Sequence, residues 1–268
     1  GGHGGRVLMG WLFVSNRTED SSLAAIFYRH ASVSPPPAEV AGLMFSHESL
    51  TFAATEFADI AGLGPGDQMA GTLPVSISSG FTAGILAGLV SGGSVMLENR
   101  FSAADLRAAL INGATHLLTA HGILEKLAAD GAPVAAPDLR FIATSAQISG
   151  GCRARAEQAL GTMVQTGYVP GQASGGVTIT LRKGTDDGFP AGYPYEQTEV
   201  RIVPKAGGRG RDGTILVRGP QIMMGYYRDP GLTRRFLDAE GWLNTGDTGW
   251  LDSEGRLHIS GEDGGRGL

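Results

Sequence analysis

Few side chains in this 268-residue chain could do chemistry, and they are far apart in sequence. Cys152 follows Ser149 in the first turn of a helical pattern, where the positive end of a helix can lower a thiol pKa and favour the nucleophilic thiolate. The competing reading is a lone thiol packed inertly on a helix. His121 comes just after the apolar run His116 to Thr119 and opens another helical stretch. An imidazole there can give or take a proton, or merely bond the backbone at a helix start. Arg29 and His30 precede Pro35-Pro36-Pro37, two cations that could meet an anion or stay solvated. Thr245-Gly246-Asp247 reads as a turn whose Asp bonds its own backbone. No His, Cys, Asp or Glu cluster has metal-ligand spacing, and no G-x-S-x-G elbow occurs to support a hydrolase triad.

The elements that must position these groups alternate in type. Leu23 to Tyr28 is strand-like, and Ser46 caps an amphipathic helix to about Ala61, with Leu50, Ala53, Ala54, Phe57 and Ile60 on one face and Gly62 at its end. Strands at Met69 to Leu73, Val95 to Leu97, His116 to Thr119, Arg140 to Thr144 and Met163 to Thr166 alternate with helices. Those helices run over Phe81 to Val90, Ala103 to Ile111 behind Ser102, Ile123 to Ala129, and Ser149 to Leu160. That order implies βαβ units and a mostly parallel sheet with flanking helices, an α/β fold. After Gly167 short strands take over: Val177 to Leu181, Val200 to Val203, Ile215 to Arg218, Gly249 to Leu251 and Leu257 to Ile259. They predict a small antiparallel sheet or barrel. The expected division is a leader over 1–22, an α/β subdomain over 23–183, a β-rich subdomain over 184–263 and a tail over 264–268.

Composition narrows the class. The chain is 42% hydrophobic with a formal net charge of −5, values of an ordinary globular protein. Basic residues are outnumbered and form no run, so nucleic acid is not an expected partner. Phe81 to Leu97 is apolar but interrupted by Ser91-Gly92-Gly93-Ser94, so it reads as helix then strand and not as a membrane span. The single Cys excludes an internal disulfide framework and, with no signal peptide apparent, predicts a reducing, cytoplasmic setting. The Gly-rich start, Gly1-Gly2-His3-Gly4-Gly5, looks like a leader or tag.

Two longer motifs carry a resemblance. G-P-Q-I-M-M-G-Y-Y-R-D-P-G-L-T, from Gly219, and G-W-L-N-T-G-D-T-G-W-L-D-S-E-G-R-L-H-I-S-G, ending at Gly261, resemble the adenylate-forming acyl-CoA synthetases. Gly42 to Leu50 and Gln165 to Gly175 are similar to two further segments of that family. The resemblance covers Leu23 to Gly261. It implies that Asp247 accepts hydrogen bonds from the ribose hydroxyls of a nucleotide, since two carboxylate oxygens suit a vicinal diol. It also places His121, Ser145, Gln147, Tyr168 and Gln172 near the carboxyl ends of parallel strands, where α/β sheets bind ligands. His121 and Tyr168 are then the catalytic candidates. Ile77, Ser145, Gln147 and Gln172 are the substrate-binding candidates.

The same resemblance exposes departures. The family's Gly-rich phosphate loop is matched by Tyr28 to Gly42, with three prolines and Glu39. Gly171 and Gln172 stand where the family has the Thr and the metal-binding Glu of Y-G-x-T-E, and an amide is a poorer ligand than a carboxylate for a hard cation. Glu262 replaces a usual Arg, Ile77 replaces a His, and the family's outer N- and C-terminal parts are not matched. Read together, these predict that neither ATP nor magnesium is held productively, Asp247 being a vestigial ribose site, and that an active acyl-CoA ligase is not expected. The expected function is an ATP-independent step, such as cyclisation or isomerisation, on a small acyl or aryl substrate linked to CoA or a carrier protein. The alternatives are a non-catalytic binding module and an acid–thiol ligase completed by a partner chain. Apolar surface left by the unmatched parts predicts a homodimer.

Overall fold

The computed structural model describes residues 21–28, 41–97, 102–129, 133–144, 148–180, 191–204 and 211–261. Its centre is a seven-stranded sheet. Four strands fill the middle, β3 (Gln68–Gly71), β5 (His116–Thr119), β6 (Phe141–Thr144) and β7 (Val164–Tyr168), and β4 (Ser94–Met96) forms one edge. All their pairings are parallel. Beyond β7, β8 (Thr178–Ile179) and β9 (Tyr193–Pro194) continue the sheet antiparallel. The strand order β4-β3-β5-β6-β7-β8-β9 brings the carboxyl ends of β5, β6 and β7 side by side.

Helices cover both faces. α1 (His47–Ala61) starts where the Ser46 side chain accepts from the Ser49 amide and stops at Gly62, whose left-handed backbone (φ 67°) returns its N–H to the last turn. It packs with a helical run made of α2 (Ser78–Phe81), a π-helical turn (Thr82–Leu86) and α3 (Ala87–Val90). Phe57, Ala83, Ala87 and Leu118 share the core on this side. On the other side α4 (Ala103–Ile111), α5 (His121–Ala128) and α6 (Gly150–Leu160) pack with Leu117, Ile142 and Val164. Ser102 and Asp105 form a reciprocal capping box at the head of α4. Alternate strand residues thus feed opposite cores, as the two-residue period of a doubly covered sheet requires.

Two smaller antiparallel sheets flank this body. β10 (Glu199–Pro204), β11 (Gly213–Arg218), β13 (Leu243–Leu251) and β14 (Leu257–Gly261) form a four-stranded sheet in the order β10-β11-β13-β14. β1 (Leu23–Tyr28), β2 (Gly42–Ser46) and β12 (Gly225–Tyr226) form the other, with α7 (Pro230–Phe236) packed beside β12. The expected α/β architecture is observed, with two differences. Leu23 to Tyr28 is not a strand of the parallel sheet but a hairpin partner of β2. β12 and α7 carry too few residues for a periodic signal. The expected boundary at residues 183–184 lies outside the described residues. No described helix is long and apolar enough to cross a membrane.

His116 ties the sheet to α1. Its Nε2 lies 2.9 Å from the Ala61 carbonyl and its Nδ1 2.8 Å from the Thr115 hydroxyl. Burial pushes the imidazole pKa down, and the bond to Ala61 offsets only part of that. Folded His116 therefore resists a proton that the unfolded chain accepts near its ordinary value of 6.5. The stabilisation is full above that pH and is lost as pH falls below it. Melting temperature should drop between about pH 7.5 and 5.5, and the drop should be shallower in His116→Gln. Equal slopes would refute the assignment.

Candidate functional site

Asp247 and Tyr168 meet although 79 residues separate them: the Tyr168 hydroxyl donates to Asp247 Oδ2 at 2.5 Å. Both are buried. Tyr168 ends β7, where its amide and carbonyl are engaged by the Thr178 hydroxyl and the Val177 amide. Asp247 does not sit in a turn, as Thr245-Gly246-Asp247 suggests in sequence. It lies within β13, where 245–247 face the single residue Ile215 between the pairs Leu216–Asn244 and Thr214–Thr248. This is a β-bulge. Gly246 takes the positive φ (81°) that such a bulge demands, and the Thr245 hydroxyl donates to the Ile215 carbonyl while accepting from the Asp247 amide. The bulge re-aims one carboxylate from the small sheet onto the end of the large one.

Gln172 is also buried, and its Nε2 donates to the Tyr226 hydroxyl at 3.3 Å. The backbone around it is braced from two sides. The Met223 amide donates to the Gln172 carbonyl at 2.9 Å, and the Ser78 hydroxyl to the Gly171 carbonyl at 3.3 Å. Ile77, beside Ser78, is 40% exposed at the head of α2. His121 begins α5 and is exposed, and among the described residues no hydrogen bond joins it to Tyr168 or Asp247. Ser145 and Gln147 lie outside the described residues, as does most of Tyr28 to Gly42. Cys152 is buried in α6, and burial, then Glu125, pushes its thiol pKa up. The helix N-terminus does not make it a thiolate. Tyr168, Asp247 and Gln172 are thus held at one end of the sheet, and His121 is not joined to them.

Sequence reasoning passed over the threonines. Thr119, Thr144 and Thr166 stand in register at the carboxyl ends of β5, β6 and β7. Thr119 accepts from the Thr72 hydroxyl at 2.7 Å, whereas the buried Thr144 hydroxyl has no partner. Their spacing in sequence carries no signal, because only strand pairing aligns them.

A family model described as AMP-binding enzyme matches residues 40–227. The chain belongs to the AMP-binding enzyme family. Among curated relatives, it is 30% identical to a sulfoacetate–CoA ligase from Cupriavidus necator over 82% of this chain and 44% of that protein. It is 27% identical to a probable CoA ligase, CCL9, from Humulus lupulus over 92% of this chain and 49% of that one. The crystal structure of ATP-bound MatB from Rhodopseudomonas palustris shares the fold, with a TM-score of 0.81 at 22% identity over 91% of this chain and 49% of that one. The chain therefore spans about half the length of these relatives.

Membership of the AMP-binding enzyme family overturns two expectations. One is an ATP-independent enzyme in which active ligase chemistry is not expected; the relatives are CoA ligases. The other is that ATP and magnesium go unheld; a protein of this fold is known with ATP bound. The error lay in adding up departures from a motif as though each removed the whole grip. Gln172 still offers a carbonyl oxygen, a ligand type that hard cations accept. The carboxylate expected at the ribose is present and buried.

An unpartnered buried hydroxyl costs the folded state its desolvation energy. Thr144→Val removes that cost and should raise stability by about 1 kcal/mol, a gain of roughly 2–4 °C in Tm. A lower Tm by calorimetry would mean that the hydroxyl has a partner.

Proposed function

We propose that this chain supplies the nucleotide- and acyl-binding core of an ATP-dependent acid–CoA ligase. The observation that carries the reading is the buried Tyr168–Asp247 contact at the carboxyl end of the parallel sheet. A carboxylate offers about four lone-pair positions, and a phenol uses one. The remaining capacity suits two neighbouring ribose hydroxyls, which donate in parallel to one anionic group. Tyr168 has the positioning role: its hydroxyl keeps the carboxylate at one angle, and its place at the end of β7 ties that angle to the rigid sheet.

Ligases of this kind form an acyl adenylate, in which a carboxylate oxygen of the acid attacks the α-phosphorus of ATP and pyrophosphate departs. A thiol then attacks the acyl carbon and AMP leaves. The residues described here serve the binding side of that sequence. Asp247 holds the sugar, the braced loop Gly171–Gln172 closes one side of the site, and the end of β7 presents the nucleotide to the acid. The Gln172 amide oxygen could join a magnesium shell completed by phosphates and water. His121, exposed and apart, has no part in this reading. The names of the relatives support a CoA-linked product and a small acid as substrate.

Titration calorimetry of the 268-residue chain with AMP tests the proposal. AMP should bind, and Asp247→Ala should weaken it roughly 10- to 100-fold, the worth of hydrogen bonds to a charged acceptor. Tyr168→Phe should weaken it less, because it loosens the carboxylate without removing it. Absence of AMP binding, or equal affinity in Asp247→Ala, would refute the reading.

A further inference from the structure

A cavity of about 20 Å³ lies against β7, bordered by Gly167 and Val169 on either side of Tyr168. Its apolar walls are Phe57 and Ala83 from the helical layer, Leu73 and Leu118 from the ends of β3 and β5, and Val169 and Ile179 from β7 and β8. That volume admits about one water-sized group. No charged residue lines it. The cavity is adjacent to the residue that carries the nucleotide reading, so whatever enters it is the part of the substrate beyond the reacting carboxyl.

We propose that this cavity receives the tail of the acid and restricts it to a short, uncharged aliphatic chain of two or three carbons, with Ala83 and Val169 setting the limit. The inference rests on the nucleotide-binding reading above. A phenyl ring or a long alkyl chain exceeds the available room. A second anionic group, as in sulfoacetate, would be buried with no cation to pair it, at high cost. The walls are held in place. Ala83 lies on the π-helical turn Thr82–Leu86, an irregularity that recurs at functional sites. The neighbouring Thr82 hydroxyl is bonded to the buried Ser174 hydroxyl at 2.7 Å, which ties that turn to the loop after Tyr168. Gly175, at φ 72°, closes the same loop on α1, where a Cβ would come within 2.9 Å of the Ala53 methyl. Because these contacts are close, the cavity cannot widen cheaply to take a larger tail.

Calorimetry of the 268-residue chain with N-acylsulfamoyladenosines, stable mimics of an acyl adenylate, tests this against AMP as the head-group control. Propionyl should bind about four-fold tighter than acetyl, the worth of one buried methylene. Hexanoyl, benzoyl and carboxyacetyl tails should bind at least ten-fold weaker than propionyl. Ala83→Val, which fills the cavity, should abolish the preference for propionyl over acetyl. Val169→Ala, at a half-buried wall, should raise hexanoyl relative to propionyl at least five-fold, and it serves if the Ala83 variant does not fold. Benzoyl, hexanoyl or carboxyacetyl binding as tightly as propionyl would overturn the proposal, as would a tail series unchanged by Val169→Ala. If AMP binds and the tails do not discriminate, the cavity assignment alone fails. If neither AMP nor any mimic binds, the nucleotide reading fails and takes this one with it.

Discussion

The arrangement depends on one buried hydrogen bond, from the phenol of Tyr168 to the carboxylate of Asp247. A carboxylate removed from water must be hydrogen-bonded or it gives up its charge. Here the donor comes from the last residue of a central parallel strand and the acceptor from a bulge in the four-stranded antiparallel sheet. The bond therefore does two jobs. It offsets the burial of Asp247, and it sets the angle between a sheet that ends in a binding edge and a sheet that delivers an anionic group to that edge. Neither sheet alone presents the pair.

Around that bond, small residues set the distances. The π-helical turn that follows α2, Ala83 within it and the loop from Gly171 to Gly175 approach α1 and β7 closely, because their side chains are minimal. Gly80 illustrates the constraint: a Cβ there would fall 2.1 Å from the Pro74 carbonyl, so the glycine of P-V-S-I-S-S-G is required by packing. A binding edge built this way is stiff and selects by shape. Its polar groups, Gln172 and the threonines of adjacent strands, are fixed by backbone register and not by long flexible side chains.

The departures from family motifs invite a different lesson from the one first drawn. Pro35-Pro36-Pro37, Gly171 and Gln172 are changes of residue type, and residue type says which donors and acceptors a position offers. It does not say how many of them a ligand needs. Nucleotide affinity is spread over sugar, base and phosphate contacts, so a changed metal ligand lowers one contribution without removing the rest. The retained Asp247, buried and oriented, weighs more than a count of substitutions, and the relatives being CoA ligases agrees with that weight.

Much of the fold was legible because it is local. Ser46 and Gly62 bracket α1, Ser102 caps α4 and Ser149 caps α6, since a cap needs only a side chain three residues from an amide. The alternation of strands and helices gave the parallel sheet, and Asp247, Tyr168 and Gln172 stood out through their motifs. Strand partners were not legible. Leu23 to Tyr28 reads like any exposed strand, and only its pairing with Gly42 to Ser46 puts it in another sheet. Nor did the sequence reveal the bulge at Gly246, the row of threonines across β5, β6 and β7, the exposure of His121 or the size of the cavity beside Tyr168. Each is a relation between residues tens of positions apart, decided by register and by packing volume. Periodicity and capping act over a few residues, and so a single chain can display them. Which distant surfaces meet, and how much space is left between them, is settled only when the whole core closes.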